Sequence, residues 1–484
     1  MLNFLWICTD SQRFDTLGCN GNPFVQTPNI DRLASSGANF ANVYSQSPLC
    51  TPSRGCFLTG RYPITMGLRQ NGQCIHKDEV LVPKLLADAG YTCGLVGKLH
   101  LSACDYRIKK YGKTEWWRYP SDTYFEGTEM RIDDGYSEFE WDHAPSTIFP
   151  ESAYTKWLDS QGVTFETSPH PDCDSISFGM PESLHQTTFC ANRTIDFIDR
   201  HKGQPWFYSV NIFDPHFKSD PPKEYLERYE SILDEIPLSP AAEGELSDKP
   251  KYQTDYIAKN GNGTAFYTER QNRLIKAAYW AQIDLIDVQV GRILEALTAS
   301  GQLENTVVIF TSDHGEMLGD HGMLKKGALL YDSAVHIPLI MSCPGVIPAQ
   351  RTGLPLYELG DLAPTILEAA GVPRHPGMQL RSFWPEVTGQ TAAVGKETVY
   401  SEYYNANPEK PPQYLTMLRG TKYKIIVHHG EDLGELYDLE ADPNELKNLW
   451  ADSAFANVKC EWLKAVCDRM AFTADPLPER IGIY

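Results

Sequence analysis

The chain has 484 residues, 42% of them hydrophobic, and sets 63 acidic against 43 basic residues for a formal charge of -20. That length exceeds a usual single domain and can bury a large core. The acidic balance argues against nucleic acid and against an anionic membrane surface as partners. A few cationic side chains around a metal can still reverse the field locally for an anionic substrate.

In chain order, Phe4–Cys8 reads as a buried strand whose carboxyl end delivers Asp10. Residues 28–37 open on Pro and close on Gly, as a short helix does. In SPLCTPSRGCFLTGRYP (47–63), Pro52 is pre-set for a first helical turn, with Thr51 as N-cap and Gly60 as the stop. Cys50 is then expected just before a helix N-terminus, where free N–H groups attract an anion. Arg54 adds a planar cationic fork one turn in. Residues 81–90 form a second Pro-to-Gly helix, followed by a strand over Tyr91–Val96. Between 105 and 180 the periodicity weakens, and an irregular insertion is expected. Ser183–His201 has a helical pattern, and Trp206–Ile212 is an apolar strand running into Asp214-Pro215-His216. A second irregular insertion is expected over 218–265. From Glu269 to Ser300 an apolar stripe through Ile275, Tyr279, Ile283, Ile286 and Val290 marks a long amphipathic helix. The strand Val307–Thr311 then leads into Ser312-Asp313-His314-Gly315, and Thr416–His428 reads as two strands joined at Gly420-Thr421.

This alternation predicts an α/β fold, a large mainly parallel sheet between layers of helices. The composition changes near Pro373. A catalytic domain over 1–372 and a smaller C-terminal α+β subdomain over 373–484 are expected, with an extended tail (473–484) suited to packing on a neighbouring subunit. Sites in such sheets gather at the carboxyl ends of strands, where Asp10, His216, Asp313 and His314 fall. The twelve cysteines lie at irregular spacings without a C-x-x-C pair, so neither a zinc site nor a disulfide framework is expected. MLNFLWICTD has no basic n-region or cleavage site, and no stretch is long enough to cross a bilayer. A cytoplasmic location without membrane contact is the expectation.

The run from Cys50 through Pro63 resembles the C-x-P-x-R signature of type I sulfatases and the T-G-R segment after it. Further segments resemble the sulfatase and phosphonate monoester hydrolase branch of the alkaline phosphatase superfamily, in family order: TDSQRFDTLGCNG (9–21), VGKLH (96–100), DPH (214–216), TSDHGEMLGDHGMLKKG (311–327) and LGELYDLEADPNELKNL (433–449). The resemblance implies an alkaline phosphatase-like fold and a cysteine oxidised to formylglycine by a formylglycine-generating enzyme. One oxygen of its hydrate attacks the sulfur of a small-molecule sulfate ester, and the other lets the covalent adduct collapse and expel sulfate. It further implies that Asp10, Asp313, His314 and residue 50 hold one divalent ion. Oxygen-rich ligation with one imidazole suits Ca²⁺ first, then Mn²⁺ or Mg²⁺.

By the same resemblance, Arg54, Lys98 and His100 hold the nucleophile, His216 protonates the leaving alcohol, and Lys326 neutralises a non-bridging oxygen. Counting thirteen residues from Asp313 selects Lys326 over Lys325. Ser11 stands where relatives carry Asp or Gln, so its hydroxyl, Gln12 or a water is left to complete the ligand set. Asn71 matches an amide that phosphonate hydrolases place near the anion. Asp15, Asp320 and His321 are expected to brace or flank the site. Lys98 and His100 favour a sulfatase, because the phosphonate branch resembles Tyr and Thr there. A phosphonate monoester or phosphodiester hydrolase with the same nucleophile is the alternative. An unoxidised Cys50 would instead make the chain a dormant relative.

Overall fold

The computed structural model describes all residues except 105–127, 147–148, 260, 408, 410, 480–481 and 483–484. Eight strands form the main sheet: β1 (Asn3–Thr9), β2 (Ala38–Tyr44), β3 (Thr92–Gly97), β4 (Glu138–Trp141), β7 (Trp206–Asn211), β8 (Thr306–Ser312), β9 (His336–Ser342) and β10 (Tyr357–Glu358). A hairpin of β5 (Ser168–His170) and β6 (Cys173–Phe178) stands apart. The spatial order is β10-β2-β9-β8-β1-β7-β3-β4. Every pairing is parallel except those of β9 with β2 and with β8, so one strand runs against the rest.

The inner strands are buried on both faces, as a sheet covered on both sides requires. Alternation along β1 sends Phe4, Trp6 and Cys8 into one core and Leu5 and Ile7 into the other. The long helix Glu269–Ala299 packs on the second core, opened by a capping box between Thr268 and Gln271. Its expected stripe is buried throughout.

A second sheet, antiparallel, joins β11 (Val399–Tyr404), β12 (Tyr414–Arg419), β13 (Tyr423–His428) and β14 (Glu435–Asp438) in that order. The helix Ala456–Phe472 packs against it.

Three expectations need correction. The segments read as irregular insertions contain β4, which extends the main sheet, and the helices Ala153–Ser160, Lys223–Glu230 and Lys251–Ile257. Most of these are single short elements whose partners are distant in sequence, so local periodicity does not reveal them. The start of the tail packs on its own chain. Asp475 pairs with Arg61 at 3.0 Å, and the Thr473 carbonyl accepts from Thr65 Oγ1 at 2.7 Å. Finally, the helix at Cys50 begins earlier than expected. It spans Cys50–Thr59 with Leu49 as N-cap, so Cys50 is its first residue and Thr51 lies inside it. Gly60 does end it, in the left-handed conformation. No helix among the described residues is long and apolar enough to cross a membrane.

Candidate active site

Parallel register brings the chemistry-bearing residues to one level. Thr9 pairs with Ser312, while Cys8 and Gly97 both pair with Asn211. The strands β8, β1, β7 and β3 therefore end together, and Asp313-His314, Asp10, the 214–216 segment and Lys98 leave from that edge. Two bonds continue the ladder past the strands, Asp10 N–H to the Asp214 carbonyl and Asp313 N–H to the Thr9 carbonyl, each 3.2 Å. At the end of β3, Gly97 adopts φ 93° and lies so near Asn211 that a Cβ would overlap its carbonyl oxygen. Only glycine lets the chain turn there and present Lys98.

The helix N-terminus brings Cys50 to the same edge. Asp10, Cys50, Asp313 and His314 are all buried, and one ligand atom from each lies within 4.8 Å of the others. Cys50 Sγ is 3.2 Å from His314 Nε2 and 3.7 Å from Asp10 Oδ1. The Gly315 carbonyl, 2.9 Å from His314 Nδ1, fixes which nitrogen faces the sulfur. Ser53 Oγ donates to the Asp313 carbonyl at 2.6 Å, and the Ser11 and His314 amides donate to Asp313 Oδ1 at 3.0 and 2.9 Å.

Cations complete the cluster. Lys98 Nζ sits 2.6 Å from Asp10 Oδ2 and 3.6 Å from Cys50 Sγ. Arg54 Nε donates to Asp313 Oδ2 at 3.0 Å and its Nη1 to the Lys98 carbonyl at 2.7 Å. The guanidinium is thus turned to a carboxylate and to the backbone that carries Lys98. Burial pushes Asp10 up, but Lys326 and Lys98 outweigh it and hold the acid well below the ordinary carboxylate range. Burial and Asp10 would also raise the Cys50 thiol, yet Lys326, Lys98 and His314 bring it down to about 5. Asp313 is raised by burial and by the Asp10 charge.

Lys326 occupies an instructive place. Its ammonium touches Ser11 Oγ at 2.9 Å, His314 Nε2 at 3.1 Å, Cys50 Sγ at 3.2 Å and Asp10 Oδ1 at 3.3 Å. Three of these four atoms belong to the metal-like group, so the amine stands in for a cation among them. The donor chemistry agrees in part. Two carboxylates and an imidazole suit a hard divalent ion, whereas a thiolate is a soft ligand and an oxygen on residue 50 fits better. Ser11 and His100 both adopt left-handed backbones, φ 68° and 59°. Such strain costs about 1–3 kcal/mol per residue and clusters where geometry is imposed by function.

The remaining expected residues divide. His216 rests its Nδ1 on the Phe217 carbonyl, which leaves Nε2 as its free nitrogen. Burial and the nearby Lys326 push its pKa well down. His100 is likewise lowered by burial and Lys98, and its Nδ1 has no hydrogen-bond partner among the described residues. Asn71 Oδ1 accepts from the Thr51 amide at 3.1 Å, so that side of the amide caps the helix. Gln12 Oε1 accepts from Thr9 Oγ1 at 2.9 Å and is committed there. Arg13 binds both Asp15 and Asp320, at 2.7 and 2.9 Å. His321 pairs with Glu245 and stacks on Tyr331, away from the metal-like group. Lys325 turns from it as well.

Sequence reasoning missed Ser53 and Glu129. The Glu129 carboxylate collects the amides of His100, Leu101 and Ser102 and the Trp141 indole N–H, and so fixes the strained His100 turn. Ser53 lay in plain view inside the Cys50 run, but nothing local marks Glu129, 29 residues from His100.

Comparisons with known proteins bear on the family and the fold. A family model described as sulfatase matches residues 2–372, and one described as N-sulphoglucosamine sulphohydrolase, C-terminal, matches 319–470. The chain is 29% identical to an arylsulfatase of Clostridium perfringens, over 92% of this chain and 90% of that one. It is 26% identical to an N-acetylglucosamine-6-O-sulfatase of Bacteroides thetaiotaomicron, over 96% and 85%. Its fold matches that of a phosphonate monoester hydrolase from Agrobacterium radiobacter with a TM-score of 0.84 at 24% identity, covering 99% of this chain and 97% of that one.

Proposed function

The chain belongs to the sulfatase family, and from that premise we propose that it hydrolyses an aryl, alkyl or sugar sulfate ester using residue 50 as nucleophile beside one divalent ion. The observation that carries this reading is the convergence on one buried position, Cys50, of Lys98, Lys326 and His314, with both Asp10 and Asp313 alongside. Such a site is shaped for a strongly anionic transition state.

Asp10, Asp313, His314 and an oxygen on residue 50 would hold the ion, with Ser11 near enough to complete the set. Ca²⁺ is the first choice for these hard donors and Mn²⁺ or Mg²⁺ the next. A divalent ion supplies Lewis-acid stabilisation of developing negative charge. Formylglycine at residue 50 would supply, as its hydrate, one oxygen to attack sulfur and a second hydroxyl whose deprotonation would expel sulfate and restore the aldehyde. Lys98 and Arg54 hold residue 50 and its carboxylate neighbours in register. Lys326, whose ammonium reaches Asp10 and Cys50, would meet a non-bridging sulfate oxygen. His100 orients the nucleophile, and His216, whose Nδ1–H is held by the Phe217 carbonyl, presents Nε2 to the leaving alcohol and can protonate it only as the imidazolium that the charge of the bound sulfate favours. Asn71 keeps the helix N-terminus that faces the anion in place.

Residues 1–372 form the catalytic unit in this reading and 373–484 its C-terminal subdomain. A cytoplasmic location is part of this reading. A phosphonate monoester or phosphodiester is the second substrate class, favoured by Ser11 in place of an acid and by the fold match. Lys98 and His100 keep sulfate first.

The test joins mass and turnover. The tryptic peptide holding residue 50 should weigh about 18 Da less than its cysteine form, the change expected of thiol-to-aldehyde conversion. The same sample should release sulfate from 4-nitrophenyl sulfate faster than it cleaves a phenyl phosphonate ester. Modified protein that prefers the phosphonate would reverse the order of the two readings. An unmodified thiol from a host able to oxidise such cysteines would indicate a dormant relative.

A further inference from the structure

Lys325 and Lys326 are neighbours whose side chains part. Lys325 adopts a left-handed backbone, φ 66°, which a bulky residue rarely takes without constraint. Its ammonium leaves the metal-like group and lies 4.8 Å over the Phe217 ring and 3.4 Å from Asn262 Oδ1. Among the described residues no carboxylate stands within the 4.0 Å of an ion pair, and Glu316 acts on it only from further off. A partly buried cation without a counter-ion is uncommon in a chain of charge -20, because burial removes water and here returns only a ring face and one long contact to an amide oxygen.

A second donor borders the same space. A Cβ built on Gly261 would lie 3.4 Å from both Lys325 Nζ and the Tyr267 hydroxyl, so glycine there, at φ 77°, leaves the gap between them open. The Tyr267 oxygen accepts from Ser175 Oγ at 2.5 Å, which leaves its own proton to donate. Phe217 follows His216 and Lys325 precedes Lys326. The gap therefore lies one residue out from the reaction centre along both segments that reach it.

We propose that Lys325 and Tyr267 form a subsite for a second anionic group on the substrate, a carboxylate or a further sulfate on the part that leaves as the alcohol. The proposal rests on the sulfate-ester reading and narrows it to doubly anionic esters. An ammonium meets either anion as a point charge with three donors, and the phenol adds direction.

Two matched pairs of esters test this with aldehyde-bearing protein: hexosamine 6-sulfate with a free or an N-sulfated amine, and phenyl sulfate with or without a ring carboxylate. The wild type should favour the two-anion member of at least one pair by about tenfold in kcat/KM, a usual worth for one charge-assisted contact. The responding pair identifies the anion. Lys325→Gln should erase that preference through KM and leave 4-nitrophenyl sulfate turnover within about twofold, as loss of uniform binding does. Lys325→Arg should keep the preference. Absence of any preference in the wild type, or equal losses on one-anion and two-anion esters in Lys325→Gln, would overturn the subsite. No sulfate from any ester would instead reject the sulfatase reading itself.

Discussion

Replacing Cys50 with alanine is expected to abolish sulfate-ester hydrolysis while leaving the protein folded. The loss should reach about 10⁴-fold or more, as removal of a covalent nucleophile does, with residual rate only from the surrounding cations. The fold should survive because the side chain is small and its helix is anchored elsewhere. Asn71 caps the Thr51 amide, Ser53 holds the Asp313 carbonyl, Arg54 grips Asp313, and Gly60 closes the last turn. A short buried side chain lost here should cost about 1–2 kcal/mol. Activity against 4-nitrophenyl sulfate and a thermal melt decide the matter together. Full activity in a well-folded variant would remove Cys50 from the mechanism, and an unfolded variant would show that its first role is structural.

Asp10→Asn should have the largest effect on stability. Asp10 is wholly buried and meets Lys98 at 2.6 Å, Lys326 at 3.3 Å and Arg54 at 3.5 Å. Its carboxylate is what permits three cations to share a space closed to water. Neutralising it leaves them facing one another, and breaking a buried ion pair from one side costs about 3–5 kcal/mol. Because residue 10 also belongs to the metal-like group, the same change should abolish metal-dependent stabilisation. The melting temperature of the wild type should rise with added Ca²⁺, by mass action on the folded state, and that of the variant should not respond. Adding Lys326→Met to the variant should recover part of the loss. A variant as stable as the wild type, with the same response to Ca²⁺, would remove Asp10 from both roles.

Much of this site was legible because its chemistry lies in short runs whose spacing survives any tertiary arrangement. Asp10, Cys50, Asp313 and His314 fall within such runs, and the thirteen-residue count from Asp313 points to Lys326, whose ammonium lies 3.3 Å from Asp10 and 3.2 Å from Cys50. The rest depends on contacts that no local pattern encodes. The helix starts at Cys50 and not after Thr51 because Asn71, twenty residues downstream of Thr51, supplies the cap. Glu129 was invisible because its three backbone partners lie across the fold. Strand β9 was missed although HIPLIMS is an apolar run, and with it the one reversed direction in the sheet. A short fully buried strand reads like any buried segment, and its orientation is set by partners more than twenty residues away in sequence.

The helix that carries Cys50 has a consequence for how the protein comes into being. All ten residues of Cys50–Thr59 are buried, so a maturing enzyme cannot grip this segment once the chain has closed over it. On the proposed chemistry, oxidation and folding are therefore in a race, run once per molecule and close to the time of synthesis. On that proposal, the active fraction of a preparation would record how fast the chain was made relative to the supply of an oxidising enzyme.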